Sequence, residues 1–308
     1  MSRISVIIVL YNALAEVRTC LASLPGSSPD GMEVIVVDNA SPQGGVRSLK
    51  TEFPGIRLVE NDRNLGFARA VNQAARLARG EFLLLLNPDA YLLPDNDAPR
   101  IMADWLEQRS EAAAAGPRLV NPDGSLQTSA YRFPTLLQSA AHLSGLKRIV
   151  PLEAFRSLGP AWLGRRFGQF DPHQVARPVD YCTGAALMIK RSAWEEIGGL
   201  DERFFLYYEE KDLCLQLRRT GYQVWLLPRA RVGHRIGASS ETAPEVARLA
   251  RYESMLAYFA KNEFGKLPIL KLMLLLTAAG RHGWAGLGGR KEEAATWRKV
   301  ARLAWEAE

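Results

Sequence analysis

The stretch Phe82–Ala90, FLLLLNPDA, decides how the rest of the chain is read. An unbroken apolar run of this length, stopped by turn-forming residues, suits a strand buried on both faces of a sheet. It leaves a carboxylate, Asp89, at the strand's C-terminal end. Asn-Pro-Asp is by itself an ordinary turn, since proline ends strands and its neighbours favour turning. Open α/β sheets, however, bind ligands outside the carboxyl ends of their strands, so the question is what else collects at that edge.

Working outward from that run, the first half alternates two periods. SVIIVLY (Ser5–Tyr11), EVIVVDNAS (Glu33–Ser41) and IRLVEN (Ile56–Asn61) read as strands. Helices are predicted over Leu14–Leu24, Val46–Glu52 and Phe67–Gly80, the last with Ala70, Ala74, Leu77 and Ala78 on one face and Gly80 as its stop. Strands alternating with helices predict an α/β protein with a mostly parallel, Rossmann-like sheet. No G-x-G-x-x-G follows the first strand and no G-x-x-x-x-G-K-[ST] occurs anywhere, which disfavours dinucleotide-dependent dehydrogenases and P-loop enzymes.

From Asn121 to Val179 the pattern is less regular and reads as an excursion carrying helices and a mobile loop. DYCTGAALMIK (Asp180–Lys190) reads as a strand or strand pair. SAWEEIGG reads as a short helix with Ser192 as candidate N-cap and Glu195 at the capping-box position. FFLYYEEKDLCLQLRRTGY runs an aromatic stretch into a helix ended by Gly221, QVWLLP returns as a strand, and 244–308 reads as helices.

The 308 residues, 47% hydrophobic and 23% charged, describe an ordinary globular protein. Three widely spaced cysteines with no CxxC pair argue against disulfide or zinc scaffolds and for a reducing compartment. A first strand beginning at Ile4 leaves no room for a signal peptide before it. The net charge of +6 favours anionic partners. No helix–turn–helix or RNA-binding signature is present, so nucleic acid is not expected. LPILKLMLLLTAA (Leu267–Ala279) is shorter than the ~20 residues of a membrane span and contains Lys271. It reads as a core helix or, with basic residues following, as a helix on an anionic bilayer surface.

Polar groups gather at the predicted strand ends: Tyr11 and Asn12, Asp38, Asn61 to Asn64, and Asp89. Each alone suits a turn or cap, but in a parallel sheet these ends share one edge. Glu209, Glu210 and Asp212 open a predicted helix, where acids are stabilising. Beside Phe204, Phe205, Tyr207 and Tyr208, two adjacent carboxylates also repel, which can raise a pKa and make a general base. His234 lies past another strand end and is a candidate metal ligand.

Taken in order, SVIIVLYN, VIVVDNAS, NLGFARAVN, LLLLNPDA, GGLDERFFLYYEEKDLCLQLRRTGY and a later His resemble glycosyltransferase family 2 with its GT-A fold, and within it the bacterial rhamnosyltransferase-type enzymes. The resemblance runs from about Ser5 to Gly237. It implies that Asp89 binds a divalent cation, Mg2+ or Mn2+, on the donor's diphosphate, with Asn87 orienting sugar or ribose and His234 completing the metal shell. It implies that Asp38 contacts the nucleotide base, that Tyr11 and Asn12 cradle the nucleoside, and that Asn64, Gly66 and Asn72 line the same pocket. Gly184 would lie near the sugar. Glu209-Glu210 stands where the family has a Glu-Asp pair whose second member is the base, which points to Glu210 with Glu209 and Asp212 as alternatives.

The implied activity is inverting, metal-dependent transfer of a sugar, from dTDP-rhamnose or a UDP-sugar, to a lipid-linked or polysaccharide glycan acceptor in cell-envelope synthesis. The implied layout is a transferase domain over 1–240, with a nucleotide half to about 120 and an acceptor half over 121–240. A helical region over 241–308 would follow, for membrane-surface or homo-oligomer contact, in a cytoplasmic enzyme at the inner membrane face. The rivals are a non-catalytic nucleotide-sugar or glycan-binding protein on the same fold and a nucleotidyltransferase. The latter would show a glycine-rich basic loop after the first strand, which VLYNALAEV lacks.

Overall fold

The computed structural model describes residues 3–24, 32–143, 175–235 and 244–307. Of the excursion over Asn121–Val179, expected to carry a mobile loop, residues 144–174 lie outside the described residues. The chain divides into two compact units. Among the described residues, the first holds 3–132, 175–205 and 209–235, and the second holds 133–143, 206–208 and 244–307.

The first unit is built on strands β1 (Ile4–Leu10), β2 (Glu33–Asp38), β3 (Ile56–Glu60) and β4 (Phe82–Leu86), with helices α1 (Leu14–Ser23), α2 (Ser48–Glu52) and α3 (Phe67–Ala75) between them. All seven residues of β1 and all five of β4 are buried, as their apolar runs require, whereas no residue of β3, at the sheet edge, is fully buried. These four strands pair in parallel in the order β3-β2-β1-β4. The register sets Leu10 opposite Asp38, Asp38 opposite Glu60 and Ile7 opposite Leu85. The ends at Tyr11, Asp38, Asn61 and Asn87 therefore share one edge.

Beyond β4 come β5 (Ala90–Leu92), α4 (Ala98–Glu107), β6 (Ala112–Val120), β7 (Leu126–Gln127), β8 (Ala130–Tyr131), β9 (Arg177–Val179), β10 (Tyr181–Cys182), β11 (Ala186–Lys190), α6 (Arg191–Glu196), α7 (Glu209–Arg219) and β12 (Gln223–His234), with α5 (Leu136–Leu143) in the second unit. The sheet continues β4-β11-β6-β12-β5. β11 runs antiparallel to β4 and β6, β12 is parallel to β6, and β5 is antiparallel to β12. The sheet is thus mostly parallel with reversed strands, as expected from the sequence.

Three local expectations need correction. The helix expected to run to Gly80 ends at Ala75, because the amides of Arg79 and Gly80 are taken by Ser5 Oγ at 3.2 and 2.8 Å. Ser192 lies inside α6, which starts at Arg191 behind Lys190, and no side chain caps it. QVWLLP does not end at its proline. β12 continues through a register shift between Leu227 and Arg231, an irregularity that accommodates Pro228.

The second unit holds α5, α8 (Pro244–Asn262), α9 (Leu267–Leu287) and α10 (Lys291–Glu306). Leu270, Leu274 and Ala278 of α9 are buried, as are Trp297, Val300 and Ala304 of α10. Tyr252 packs on Trp297 with ring centroids 5.8 Å apart. No helix among the described residues is long and apolar enough to cross a membrane.

Candidate active site

Asp89 follows β4 after the Asn87-Pro88 turn, in which the Ala90 amide donates to the Asn87 carbonyl at 3.1 Å. The bulged end of β12 returns to this point: His234 pairs with Ala90, and the Arg235 amide donates to the Asp89 carbonyl at 3.0 Å. His234 Nε2 thereby stands 3.3 Å from Asp89 Oδ1, both side chains largely buried. His234 Nδ1 is 2.9 Å from Gln127 Oε1 on β7. With the Nδ1 proton donated to Gln127, Nε2 turns its lone pair toward a carboxylate oxygen that is buried and without a hydrogen-bond partner. Two acceptors facing each other suit a cation. One carboxylate and one imidazole fit a site completed by diphosphate oxygens and water. No cluster of three protein ligands exists among the described residues.

Two hollows flank the pair. One of about 110 Å³ is lined by Glu16, Thr19, Asp89, Tyr91 and Arg235, and another of about 400 Å³ by Gln127, Thr128, Tyr131, Thr183 and His234.

Asp38 at the end of β2 accepts from Ser41 Oγ at 2.6 Å, and Ser41 Oγ in turn accepts from the Asn12 amide at 3.0 Å. Asn12 itself has φ 52°, and its side-chain Oδ1 is buried with no hydrogen-bond partner. Tyr11 is half-buried at the end of β1. Asn64 accepts from the Gly66 amide at 2.9 Å. Gly66 has φ 85°, and a Cβ there would meet Phe205 Cδ2 at 2.7 Å, so only glycine suits the turn. The organiser of this corner is Asn39, which sequence reasoning passed over. Its Nδ2 donates to Asn64 Oδ1 and the Gly66 carbonyl, and its Oδ1 accepts from Asn61 Nδ2 and the Leu65 amide. Asn72 is placed elsewhere: its carboxamide is committed to the Leu200 backbone, with bonds of 2.8 and 3.0 Å, and to Glu202.

The acidic pair is tied to the same edge by the loop between β10 and β11. The Asn87 amide donates to the Ala185 carbonyl at 3.0 Å, and a Cβ on neighbouring Gly184 would lie 3.8 Å from Glu210 Cβ. Glu209 is buried, and loss of solvation, with the charge of Glu210 second, pushes its carboxyl up to about 8. Glu210 Oε1 is 3.3 Å from Lys211 Nζ, while Oε2 of both glutamates is buried without a partner. Burial, and to a smaller extent Glu210, also raises the phenol of Tyr131, which lines the larger hollow; Lys211 opposes this. Asp212 accepts from Gln216 one turn along α7 at 3.2 Å, and its charge bears on Arg203. The two residues before Glu209, Tyr207 and Tyr208, have φ of 70° and 72°. For such side chains that backbone costs about 1–3 kcal/mol per residue.

Gln127 and Ser41, like Asn39, left no sequence signal beyond their turns. Lys211 was visible only as a charge in an acidic run.

The chain is a glycosyltransferase by its likeness to that class of protein. The profile described as glycosyl transferase family 2 matches residues 5–198, and the chain belongs to that family. Its relatives include the N-acetylglucosaminyl-diphospho-decaprenol L-rhamnosyltransferase of Mycobacterium tuberculosis, 29% identical over 272 residues that cover 84% of this chain and 85% of the relative. The low-salt glycan biosynthesis hexosyltransferase of Haloferax volcanii is 27% identical over 228 residues, covering 72% and 63%. The GT-A architecture is that of the mannosyltransferase of Pyrobaculum calidifontis solved with GDP-Man and Mn2+. That structure superposes with a TM-score of 0.55 at 18% identity, covering 99% of this chain and 86% of that one.

Proposed function

We propose that this glycosyltransferase moves a sugar, rhamnose from dTDP-rhamnose in the first instance, to a hydroxyl of a lipid-linked or polysaccharide acceptor, with inversion at the anomeric carbon. The observation that carries the reading is the placement of Asp89, His234 and Glu210 around one strand edge. The rhamnosyltransferase relative supports the choice of donor and of a lipid-linked acceptor.

Asp89 and His234 would hold Mg2+ or Mn2+. Such an ion neutralises charge on a leaving diphosphate. Asp38 and the Oδ1 of Asn12 offer acceptors to the donor groups of the base, and Asn39 keeps the Asn64–Gly66 turn in place beside them. Asn87 reaches the ribose or sugar, and Gly184 leaves room for the sugar beside Glu210. Asn72 acts at one remove, as a tether of the 200–202 loop. Glu210 is the base that takes the acceptor hydroxyl's proton. Glu209, its carboxyl pushed up to about 8 by burial, is protonated at neutral pH. Residues to about 120 supply the nucleotide half and 121–240 the acceptor half.

The helical region would rest on the cytoplasmic face of the inner membrane. Ile269, Leu272, Leu276, Trp284 and Leu287 of α9 are exposed, and the spacing of Ile269, Leu272, Leu276 and Leu287 sets them on one face of the helix. Between 244 and 307 there are eleven Lys and Arg against six Glu, a charge that complements an anionic bilayer.

The test is incubation of the purified protein with dTDP-rhamnose, UDP-glucose, UDP-galactose and UDP-galactofuranose, with and without Mn2+. The readout is release of nucleoside diphosphate. Metal-dependent turnover of one donor, lost in Asp89→Ala and Glu210→Gln, supports the transferase. Saturable donor binding without turnover, even with glycan acceptors, replaces it with a binding protein.

A further inference from the structure

We propose that the hollow of about 400 Å³ beside His234 seats one uncharged sugar ring of the acceptor against the side chain of Tyr131. The inference rests on the reading of Glu210 as the base and adds the chemistry of the unit that meets it.

The two hollows of the first unit differ in kind. The smaller, about 110 Å³, is lined by Glu16, Asp89 and Arg235, charges that suit an ion or a phosphate. The larger is lined by two carboxamides (Asn121, Gln127), two hydroxyls (Thr128, Thr183), the Tyr131 ring and His234. Among the described residues that line it, none is Lys, Arg, Asp or Glu. Its volume falls in the range of about 300–1,000 Å³ usual for small-ligand sites. One aromatic surface with several neutral hydrogen-bonding groups suits a sugar, which has apolar C–H faces and a rim of hydroxyls. A carboxylate or phosphate would find no guanidinium or ammonium there to replace its lost water.

Tyr131 is fixed before any ligand arrives. On β8 it stands opposite Tyr181 of β10, and the two rings stack at 5.5 Å and 20°. Its hydroxyl donates to the Thr128 carbonyl at 2.9 Å, which commits the polar tip and leaves the ring as the surface on offer. Thr183 Oγ1 accepts from the Ala185 amide at 3.0 Å and keeps its own proton to donate. Gln127 Oε1 faces His234 Nδ1, which leaves Nε2 to donate.

Position assigns the ring to the acceptor. The nucleotide corner lies at the ends of β1, β2 and β3, and the larger hollow at the ends of β6 and β12, with β4 and β11 between them. His234 joins the hollow to Asp89 at 3.3 Å, and Thr183 is followed by Gly184, where a Cβ would lie 3.8 Å from Glu210 Cβ. A ring in the hollow is thus bordered by the Asp89–His234 pair and by the base that must take its proton.

The experiment uses the full chain with Mg2+ and dTDP or UDP. The probes are the methyl glycosides of glucose, galactose, mannose and N-acetylglucosamine, with methyl glucuronide as the charged one. Saturation-transfer NMR titrations read glycoside binding, and calorimetry reads the affinity for nucleoside diphosphate and for dTDP-rhamnose and UDP-glucose. The variants are Tyr131→Ala, Tyr131→Phe, which keeps the ring, and Thr128→Phe, which fills the hollow. At least one neutral glycoside should bind and the glucuronide should not. Affinity for that glycoside should fall roughly tenfold in Tyr131→Ala, the order of one aromatic contact. It should stay within about twofold in Tyr131→Phe and be lost in Thr128→Phe. Nucleoside diphosphate affinity should stay within about twofold throughout, which also shows that the variants fold; if Tyr131→Ala loses it, Thr128→Phe decides. No saturation transfer in the wild type, equal binding of the glucuronide, or unchanged glycoside affinity in Thr128→Phe overturns the subsite. A fall in affinity for the intact donors, with nucleoside diphosphate unaffected, gives the hollow to the donor's sugar and overturns it likewise. A wild-type protein that turns over no donor overturns instead the transferase reading, and glycoside binding then judges the subsite by itself.

Discussion

His234 Nε2 and Asp89 Oδ1 stand 3.3 Å apart although they lie far apart in the chain, because the end of β12 pairs with the strand that follows Asp89. Gln127 sits behind the imidazole at 2.9 Å and fixes which nitrogen faces the carboxylate. Removing such a partner typically costs about 10–100-fold in metal affinity. Gln127→Leu should therefore weaken Mn2+ binding in the presence of nucleoside diphosphate by that factor, read by calorimetry. Asp89→Ala should lower kcat/KM by about 10²-fold or more, as loss of a metal's charge stabilisation requires. Equal metal affinity in Gln127→Leu and wild type would remove Gln127 from the site.

Glu209 gives a stability prediction with a definite sign. Its carboxyl titrates at about 8 in the folded chain against 4.5 for the free side chain, so the folded state holds a proton that the unfolded state gives up. Its contribution is fully present below about pH 4.5 and is lost as pH rises through 8. Thermal unfolding of wild type should fall across this window relative to Glu209→Gln, in which nothing ionises. Parallel pH profiles of Tm for the two proteins would refute the assignment.

Gly66 carries a turn whose φ of 85° and contact with Phe205 exclude a side chain. Gly66→Ala adds backbone strain of about 1–3 kcal/mol and a clash besides. A drop in Tm of roughly 5 °C is expected for a chain of this size, together with weaker nucleoside diphosphate binding. Because the Phe67 amide bonds to the Phe205 carbonyl at 2.7 Å, the clash cannot be relieved by moving the turn alone. An unchanged Tm would mean the turn relaxes freely.

The exposed apolar face of α9 predicts binding to vesicles containing phosphatidylglycerol and weaker binding to neutral ones. Leu272→Glu with Leu276→Glu should reduce binding at least tenfold in flotation assays, since each leucine buries about 1.5–3 kcal/mol of apolar surface. If the double variant instead changes the oligomeric state and leaves flotation unaltered, the face belongs to a second copy of the chain.

Much of this architecture is written in local pattern. β1, β2 and β4 are apolar runs that need two covered faces, and their polar punctuation at Tyr11, Asp38 and Asn87 announces the edge. The centre of the sheet was less visible. Ala112–Ala115 has the composition of a helix, yet it forms a fully buried strand between β11 and β12, because small side chains let the layers close over it and packing overrides propensity. His234 read as lying past a strand because Pro228 suggests an end that a bulge defeats. Asn39 and Gln127 act only through residues distant in sequence, and no local pattern carries such information.

The sheet order has a consequence for how the protein is made. Asp89 is made well before the last residues of β12, with which the strand that follows it pairs. A nascent chain that stops short of Gln223 owns Asp89 and Asp38 but lacks His234, the partner of the carboxylate. The Asp89–His234 pair is therefore completed only once synthesis has passed residue 234. Whatever the pair does therefore waits on β12, the strand that brings its second member.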